Sequence, residues 1–437
     1  MQTNPKSKYR FAQFATTKPP SFDDVPTSED LLDSNLCSAS STRIAAILSS
    51  RGPGEAVVFN TNSFSRYGPK TPRLVGHKRP ITEAVFAPNS EVILATSADD
   101  GTVAIWDTSN NSQDMKTPLV IFQAHTKKIS SIRWSPTVKN LLLTCSFDGS
   151  VKFWNIEDPA QPTLSHDFEE IVQQAEFNFD GSLVALILKD SRQIIKIESL
   201  SGQILNQQTS KTTGIKPPRL IFCGQNNAIC VTGGMKNQER LAYFLDQNFE
   251  TVGSQLFQQS SSQFLTFWDE NSQLLHCLSR GSTEYYAFEH ENSAFTLVLN
   301  LGFDWPVRGA CIMPARSLNT DKTQIAQFFI LNNKKQILYM SLEVPSKIKG
   351  FNKKFYDKYE AQESVQTIQE FKQGIVKKPL YVEFVEGEVF TAKDEEVLVV
   401  SQAESEHDEL LRLRKELVLA KAKIEQLEDQ LKKTSRE

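Results

Sequence analysis

The fold is decided by two matching stretches, Leu74-Val-Gly-His77 through Ala104-Ile-Trp-Asp107 and Phe122-Gln-Ala-His125 through Phe153-Trp-Asn155. They align without a gap, and three pairs of equivalent residues are each 48 positions apart: His77 and His125, Asp100 and Asp148, and Trp106 and Trp154. One His, one Asp-Gly turn and one Trp per unit of this length are typical of a four-stranded blade of a β-propeller. Each Asp-Gly turn precedes a strand-like run, which predicts a tight hairpin in both units.

The repeated polar residues have a structural interpretation. In such blades the His, the Asp and the Trp indole N–H belong to a hydrogen-bond network that joins the strands of one blade. We therefore expect the following residues to be structural rather than catalytic acids and bases: His77, Asp100, Trp106, His125, Asp148 and Trp154.

Weaker repeats continue downstream of these two units. Gln174-Ala-Glu-Phe-Asn-Phe-Asp180-Gly181 resembles the start of the second unit, and Leu183-Val-Ala-Leu-Ile-Leu188 takes the place of its second strand. Short strands without a convincing long helix run to about residue 345, and roughly 315 residues divided by a blade of about 45 give seven blades. The sequence predicts an all-β fold, a seven-bladed β-propeller over residues 1–345 with a short basic N-terminal arm.

Composition and charge exclude several classes of protein. The chain has 437 residues with 48 basic and 52 acidic side chains, and this near balance gives no global attraction to nucleic acid. The apolar run Leu183 to Leu188 is strand-sized, so we expect no integral membrane segment. Residues 1–14 lack the apolar stretch of a signal peptide, and we expect a cytoplasmic protein.

Neither a metal site nor an enzyme is indicated by the motifs. The six cysteines are scattered without a C-x-x-C pair, so we expect reduced core residues and no metal or cofactor. The sequence contains no G-x-G-x-x-G, G-x-x-x-x-G-K-[ST], G-x-S-x-G or H-E-x-x-H motif. We therefore expect a binding protein without catalysis of its own.

The composition changes after about residue 345. Residues 346–380 are rich in lysine and retain aromatic residues, whereas Tyr381 to Asp408 is acidic. We interpret residues 346–407 as an extension that packs along the propeller and then becomes an acidic linker.

The last thirty residues, 408–437, predict a parallel coiled coil. An unbroken 3.5-residue apolar repeat is formed by Leu410, Leu413, Leu417, Ala420, Ile424, Leu427 and Leu431. In a parallel assembly three attractive flanking pairs arise: Glu409 with Arg414, Glu416 with Lys421, and Lys423 with Glu428. A single surface helix is the alternative, but these pairs favour self-association.

Several features together resemble the coronin family. They are the opening Ser7-Lys-Tyr-Arg10, the two good central repeats, the stretch Arg308-Gly-Ala-Cys-Ile-Met-Pro-Ala-Arg-Ser-Leu-Asn319 with Ile325-Ala326, and the short C-terminal coiled coil. Coronins are seven-bladed WD-repeat propellers that bind actin filaments, oligomerise through the coiled coil and in many members engage the actin-nucleating complex. The resemblance implies a cytoskeletal adaptor of the actin-rich cortex.

Two departures from the family pattern bear on mechanism. Aligning Leu31-Leu-Asp-Ser34 with a T-W-D-S-type stretch places Pro26 where family members have an arginine associated with actin binding. The coiled coil carries Lys423-Ile-Glu-Gln-Leu-Glu428 where a trimer-favouring pattern has Arg, and lysine cannot make the bidentate contact of a guanidinium. Both a dimer and a trimer therefore stay open.

Charge suggests which surface meets a partner. By the 48-residue register Arg79 is equivalent to Lys127, so we expect these residues to share one face of the propeller. The candidate actin-binding residues are Lys8, Arg10, Lys78, Arg79, Lys127 and Lys128. The alternative is that they are ordinary solvated loop charges.

A second functional hypothesis is a propeller scaffold for a non-actin cytosolic complex, for example in vesicle traffic.

Overall fold

The computed structural model describes residues 4, 6–15, 18–31, 33–50, 52–258, 263–291, 293–345 and 351–386. These residues form seven antiparallel sheets and one separate two-stranded sheet. The innermost strands of the seven sheets contact one another in a closed ring. The predicted seven-bladed all-β propeller is therefore confirmed, whereas the predicted coiled coil at 408–437 lies outside the described residues.

Two short strands precede the blades, β1 (Gln13–Phe14) and β2 (Ser21–Phe22). Blade 1 consists of β3 (Cys37–Ala39), β4 (Arg43–Ile47), β5 (Glu55–Asn60) and β6 (Arg73–Val75). Blade 2 consists of β7 (Ile81–Phe86), β8 (Ile93–Ala98), β9 (Thr102–Asp107) and β10 (Val120–Gln123). Blade 3 consists of β11 (Ile129–Trp134), β12 (Leu141–Ser146), β13 (Ser150–Asn155) and β14 (Leu164–Asp167).

The remaining blades follow the same order. Blade 4 consists of β15 (Val172–Phe177), β16 (Leu183–Leu188), β17 (Gln193–Glu198) and β18 (Ile204–Thr209). Blade 5 consists of β19 (Arg219–Cys223), β20 (Ala228–Gly234), β21 (Arg240–Leu245) and β22 (Thr251–Phe257). Blade 6 consists of β23 (Phe264–Asp269), β24 (Leu274–Ser279), β25 (Glu284–Glu291) and β26 (Ala294–Gly302).

Blade 7 is completed by the start of the chain. Its own strands are β27 (Val307–Ile312), β28 (Gln324–Asn332) and β29 (Ile337–Glu343), with two short 3₁₀ turns at Ala315–Ser317 and Thr320–Lys322. Both N-terminal strands pair antiparallel with β29, Gln13 opposite Glu343 and Ser21 opposite Leu338. Residues from both ends of the propeller sequence thus close the ring, which leaves no long unpaired edge at the junction.

Strand direction defines two faces of the ring. The innermost strand of each blade begins at one face, which we call the N-face, and ends at the other, which we call the C-face. Loops between consecutive blades lie on the N-face, as does the turn between the second and third strand of a blade. Apolar side chains fill the space between neighbouring blades, for example Phe122 of blade 2 against Trp154 of blade 3, with ring centroids 4.9 Å apart.

The extension lies on the C-face. It contains β30 (Lys358–Glu360), helix α1 (Ile368–Lys372) and β31 (Tyr381–Glu383), and β31 returns to pair with β30. Tyr356 is fully buried beside blade 7 and donates its hydroxyl to the Gln324 carbonyl at 2.8 Å. Helix α1 begins with a capping box between Thr367 and Glu370 and buries Phe371 against Phe153 of blade 3. In the described residues no helix is long and apolar enough to cross a membrane.

Candidate functional site

The polar residues of the first repeat form one connected network in blade 2. His77 Nε2 lies 2.7 Å from Thr96 Oγ1, and Trp106 Nε1 donates to the same hydroxyl at 2.8 Å. His77 Nδ1 lies 3.1 Å from Thr102 Oγ1, which donates to Asp100 Oδ1 at 2.6 Å. The network therefore joins the second and third strands to the loop that precedes the blade.

The second repeat reproduces this network in blade 3. His125 lies 3.1 Å from Asp148 and 2.7 Å from Thr144 Oγ1, which also accepts from Trp154 Nε1 at 2.9 Å. Ser150 donates to Asp148 at 2.7 Å. The threonine at the centre of each network was missed by sequence reasoning, although Thr96 and Thr144 are also 48 positions apart.

The protonation states of these groups match a structural role. Burial lowers the pKa of both His77 and His125 to about 4, so both imidazoles are neutral at pH 7. Burial opposes ionisation of Asp148, but the hydrogen bond from Ser150 and the nearby His125 outweigh it and lower its pKa to about 2. A neutral histidine bonded at both nitrogens and a carboxylate with its acceptors in use have no capacity left for proton transfer to a substrate.

A basic surface lies on the N-face above blades 1 to 3. Lys78 and Arg79 are exposed in the loop before β7, and Lys127 is exposed in the equivalent loop before β11. In the described part of the chain, no hydrogen bond or ion pair engages these three side chains. Lys128 differs, because its Nζ lies 3.9 Å from Asp99 Oδ1 and 5.7 Å from the centre of the Phe147 ring.

The loop before β11 packs closely against the Asp-Gly turn of blade 2. Gly101 has a φ of +81°, and a Cβ at this position would lie 2.2 Å from the His125 carbonyl oxygen and 2.8 Å from that of Lys127. Only glycine fits such a close approach at a positive φ. The Asp-Gly turn of blade 2 therefore supports the loop that carries Lys127.

The charge of the loops between blades changes sign toward blade 4. The equivalent loop before β15 carries Glu169 and Glu170, and the Glu170 carbonyl lies near Gly149 as the Lys127 carbonyl lies near Gly101. Lys189 lies on the same side of the ring, 4.7 Å from the Phe147 ring that also contacts Lys128. Sequence reasoning did not identify this lysine, whose place depends on the tertiary contact with Phe147.

The other two candidate residues, Lys8 and Arg10, lie at the opposite face. They precede β1, which begins at the C-face, and Lys8 Nζ donates to the Lys354 carbonyl of the extension at 3.0 Å. Arg10 donates to the Ser7 carbonyl at 2.9 Å and lies over the Phe11 ring. The six candidate cations therefore do not form one surface.

Pro26 lies on the N-face. Its carbonyl accepts from the Ser49 N–H at 2.7 Å in the turn between β4 and β5. That turn also reaches the basic surface, because a Cβ on Gly54 would lie 2.5 Å from the Arg79 carbonyl. The position is thus on the same face as Arg79 and presents no charge.

A largely buried ion network joins the innermost strands of three consecutive blades. Arg133 of blade 3 bonds Glu83 of blade 2 at 2.8 Å and Glu176 of blade 4 at 2.6 Å. These residues lie on three consecutive innermost strands, so one guanidinium joins three blades. No cluster of three metal-ligating side chains occurs in the residues that the structure describes.

Comparisons with known proteins agree with this architecture. The family described as WD domain, G-beta repeat matches residues 68–107 and 116–155, and the Domain of unknown function (DUF1899) matches residues 3–66. Human Coronin-2B is 26% identical over 448 residues, which cover 94% of this chain and 92% of that protein. These matches support the coronin family.

Further coronin relatives share most of the chain. Bovine Coronin-2A is 23% identical over 381 residues, covering 84% of this chain and 71% of the relative. The crystal structure of the WD40 domain from Toxoplasma gondii coronin superposes with a TM-score of 0.79 at 22% identity, covering 86% of this chain and 97% of that one. This structural likeness shows that the propeller fold is shared.

Proposed function

We propose that this protein binds actin filaments through the N-face and crosslinks or bundles them by self-association of residues 408–437. Similarity to coronins supports the actin partner, and the exposed Lys78, Arg79 and Lys127 supply the charge. Such a protein acts in the cytoplasm at the actin-rich cortex as a regulator of actin dynamics, and engagement of the actin-nucleating complex belongs to the same proposal.

The observation that carries the proposal is the group of unengaged cations above blades 1 to 3. A filament surface is acidic, and cations that are not already paired gain most from meeting it. Lys128 contributes less because Asp99 lies beside it. Each propeller binds weakly in this scheme, and linking several propellers raises the overall avidity by about 10²–10⁴.

Charge reversal tests the N-face. The variant with Arg79, Lys127 and Lys128 all replaced by Glu is expected to pellet less with filaments. The amount that pellets should also depend less on salt concentration, because fewer attractive charge contacts remain for salt to screen. A matched control replaces Lys353, Lys372 and Lys378 with Glu, which are exposed on the C-face and in the extension. Equal pelleting of wild type and the N-face variant across a salt series would refute the proposed surface.

Truncation tests self-association. Removing residues 408–437 is expected to leave a folded propeller that binds filaments poorly and does not bundle them. Low-speed and high-speed co-sedimentation separate bundling from binding, and sedimentation equilibrium of the full chain distinguishes a dimer from a trimer. Undiminished bundling by the truncated chain contradicts the proposed role of these residues.

The second candidate function is a propeller scaffold for a non-actin cytosolic complex. The uncharged Pro26 on the N-face favours it, since the family arginine associated with actin binding would occupy this position. Recovery from cytosol of a stable assembly without actin would support this candidate. Replacing Pro26 with Arg then separates the two functions, because a gain in filament pelleting is expected only if the rest of the N-face contacts actin.

A further inference from the structure

A cavity of about 490 Å³ opens at the C-face end of the central channel. Its walls come from the innermost strands of the blades and the loops that follow them. The extension covers it with the paired strands β30 and β31, which contribute Tyr359, Glu360 and Tyr381, and with Pro379 just before β31. The volume lies within the range of about 300–1,000 Å³ of binding pockets.

Aromatic side chains from the propeller and the extension line this cavity. Trp134 and Trp268 come from the blades, and Tyr359 and Tyr381 come from β30 and β31 of the extension. The Trp134 N–H already donates to the Val85 carbonyl at 3.0 Å, and the Trp268 N–H donates to Glu270 at 2.7 Å. The indoles therefore offer the cavity their apolar and π-electron surface, which attracts cations.

Four carboxylate side chains line the same cavity. Glu176 bonds Arg133 and Asp269 accepts from the Ser272 hydroxyl, and the other two carboxylates are Glu270 and Glu360. Glu270 accepts from neutral donors, the Trp268 N–H and Gln225 Nε2 at 3.1 Å. Burial raises the pKa of Glu360 to about 7, with Glu270 adding to the rise and Arg316 opposing it. Arg316 forms two hydrogen bonds with Glu91, at 3.0 Å and 2.7 Å, and so gives Glu360 only partial compensation.

The second cation that lines the cavity, Arg133, is also engaged in ion pairs. Arg133 is held between Glu83 and Glu176 and bonds both carboxylates. Asn271 lines the cavity as well, and both its amide nitrogen and its amide oxygen are buried without a hydrogen-bond partner. Such an amide is matched by a peptide backbone, which both donates and accepts hydrogen bonds.

We propose that this cavity binds the guanidinium group of an arginine side chain from an extended peptide segment of a partner protein. Aromatic walls and two carboxylates suit guanidinium better than ammonium, because the planar group stacks on rings and bonds carboxylates in a bidentate manner. The Asn271 amide then pairs with the peptide backbone. This site lies at the C-face and does not depend on the proposed contact with actin.

The test is calorimetric titration of the full-length protein with the peptide acetyl-Gly-Arg-Gly-amide. Saturable binding is expected, and the matched peptide with citrulline in place of Arg, which has the same shape but no charge, should bind at least about tenfold more weakly. The double variant Glu270→Gln and Glu360→Gln is expected to lose at least about tenfold in affinity for the Arg peptide. The acid-to-amide variant Glu169→Gln with Asp304→Asn, on the N-face, serves as the control and should bind like wild type.

Three outcomes would overturn the proposal. They are no binding of the Arg peptide, equal binding of the Arg and citrulline peptides, and equal loss of affinity in the cavity and control variants. A thermal melt of each variant verifies folding. The comparison of the two peptides on the wild-type protein needs no substitution and stays decisive if a variant misfolds.

Discussion

Arg316 and Glu91 form a buried ion pair, 2.7 Å long, that joins blade 7 to blade 2, with blade 1 between them in the ring. Glu91 also accepts the backbone N–H of Ser41 at 2.6 Å and that of Thr42 at 3.1 Å, both in the turn between β3 and β4 of blade 1. One carboxylate thus connects three blades at the C-face. Removing its cation leaves the charge buried and incompletely neutralised.

Replacing Arg316 with Met is therefore expected to lower the free energy of unfolding by about 3–5 kcal/mol, measured by urea denaturation. The control is Arg308→Met, since the partner of Arg308 is Glu29, a side chain that is 67% exposed. An exposed pair contributes about 0–1 kcal/mol. Similar losses in the two variants would contradict the assigned importance of Glu91.

The threonines at the centre of the two repeat networks give a second prediction. In Thr144→Val the His125 imidazole and the Trp154 N–H both lose their partner inside the blade, and each buried orphaned group costs about 1–3 kcal/mol. Thr232→Val is a matched control, because the Thr232 hydroxyl is buried without any partner in the described structure. Urea denaturation should show a clear loss for Thr144→Val and little change or a gain for Thr232→Val; the reverse order would refute the network.

Acid is expected to lower the stability of the propeller over the pH range in which the buried histidines titrate. The folded pKa of His77 and His125, about 4, lies below the value of about 6.5 expected in the unfolded chain. The unfolded state therefore binds more protons between these values, and stability falls as pH drops from about 6.5 to about 4. Each histidine accounts for about 1–2 kcal/mol of the loss between pH 7 and pH 5.

His77→Gln checks this prediction, because it removes one titrating group. The variant is expected to be less stable at pH 7 but to lose about 1–2 kcal/mol less than wild type when urea denaturation is repeated at pH 5. Asp148 does not affect the comparison. Because its pKa is about 2, its contribution to the free energy of unfolding is lost only at pH values below this range. Parallel pH dependences in the two proteins would exclude His77 as a source of acid sensitivity.

The sequence predicted the blades that carry strong local signals. The 48-residue register located both central hairpins, and β9 and β13 begin at Thr102 and Ser150, as expected from the Asp-Gly turns. It did not predict that residues 13–14 and 21–22 pair with β29. Strands of two residues have no periodicity to recognise, and their pairing depends on a partner from the far end of the propeller.

The candidate surface was predicted only in part, for a similar reason. Exposure of Lys78, Arg79 and Lys127 follows from their place in loops between blades. The ion pair of Lys128 with Asp99 and the location of Lys8 beside the extension depend on tertiary contacts that spacing does not encode. The heptad residues from Leu410 to Leu431 lie outside the described residues, so the coiled coil stays a prediction.

The pairing of β1 and β2 with β29 also sets an order of events during synthesis. Gln13 leaves the ribosome early, yet its partner Glu343 is among the last propeller residues to be made. The nascent chain must therefore hold six blades and an unmatched N-terminal segment until translation of the propeller is nearly complete. Once β29 has been made, it is an open edge that another chain can capture until β1 and β2 pair with it, so the final step of folding is also the step at which misassembly is most dangerous.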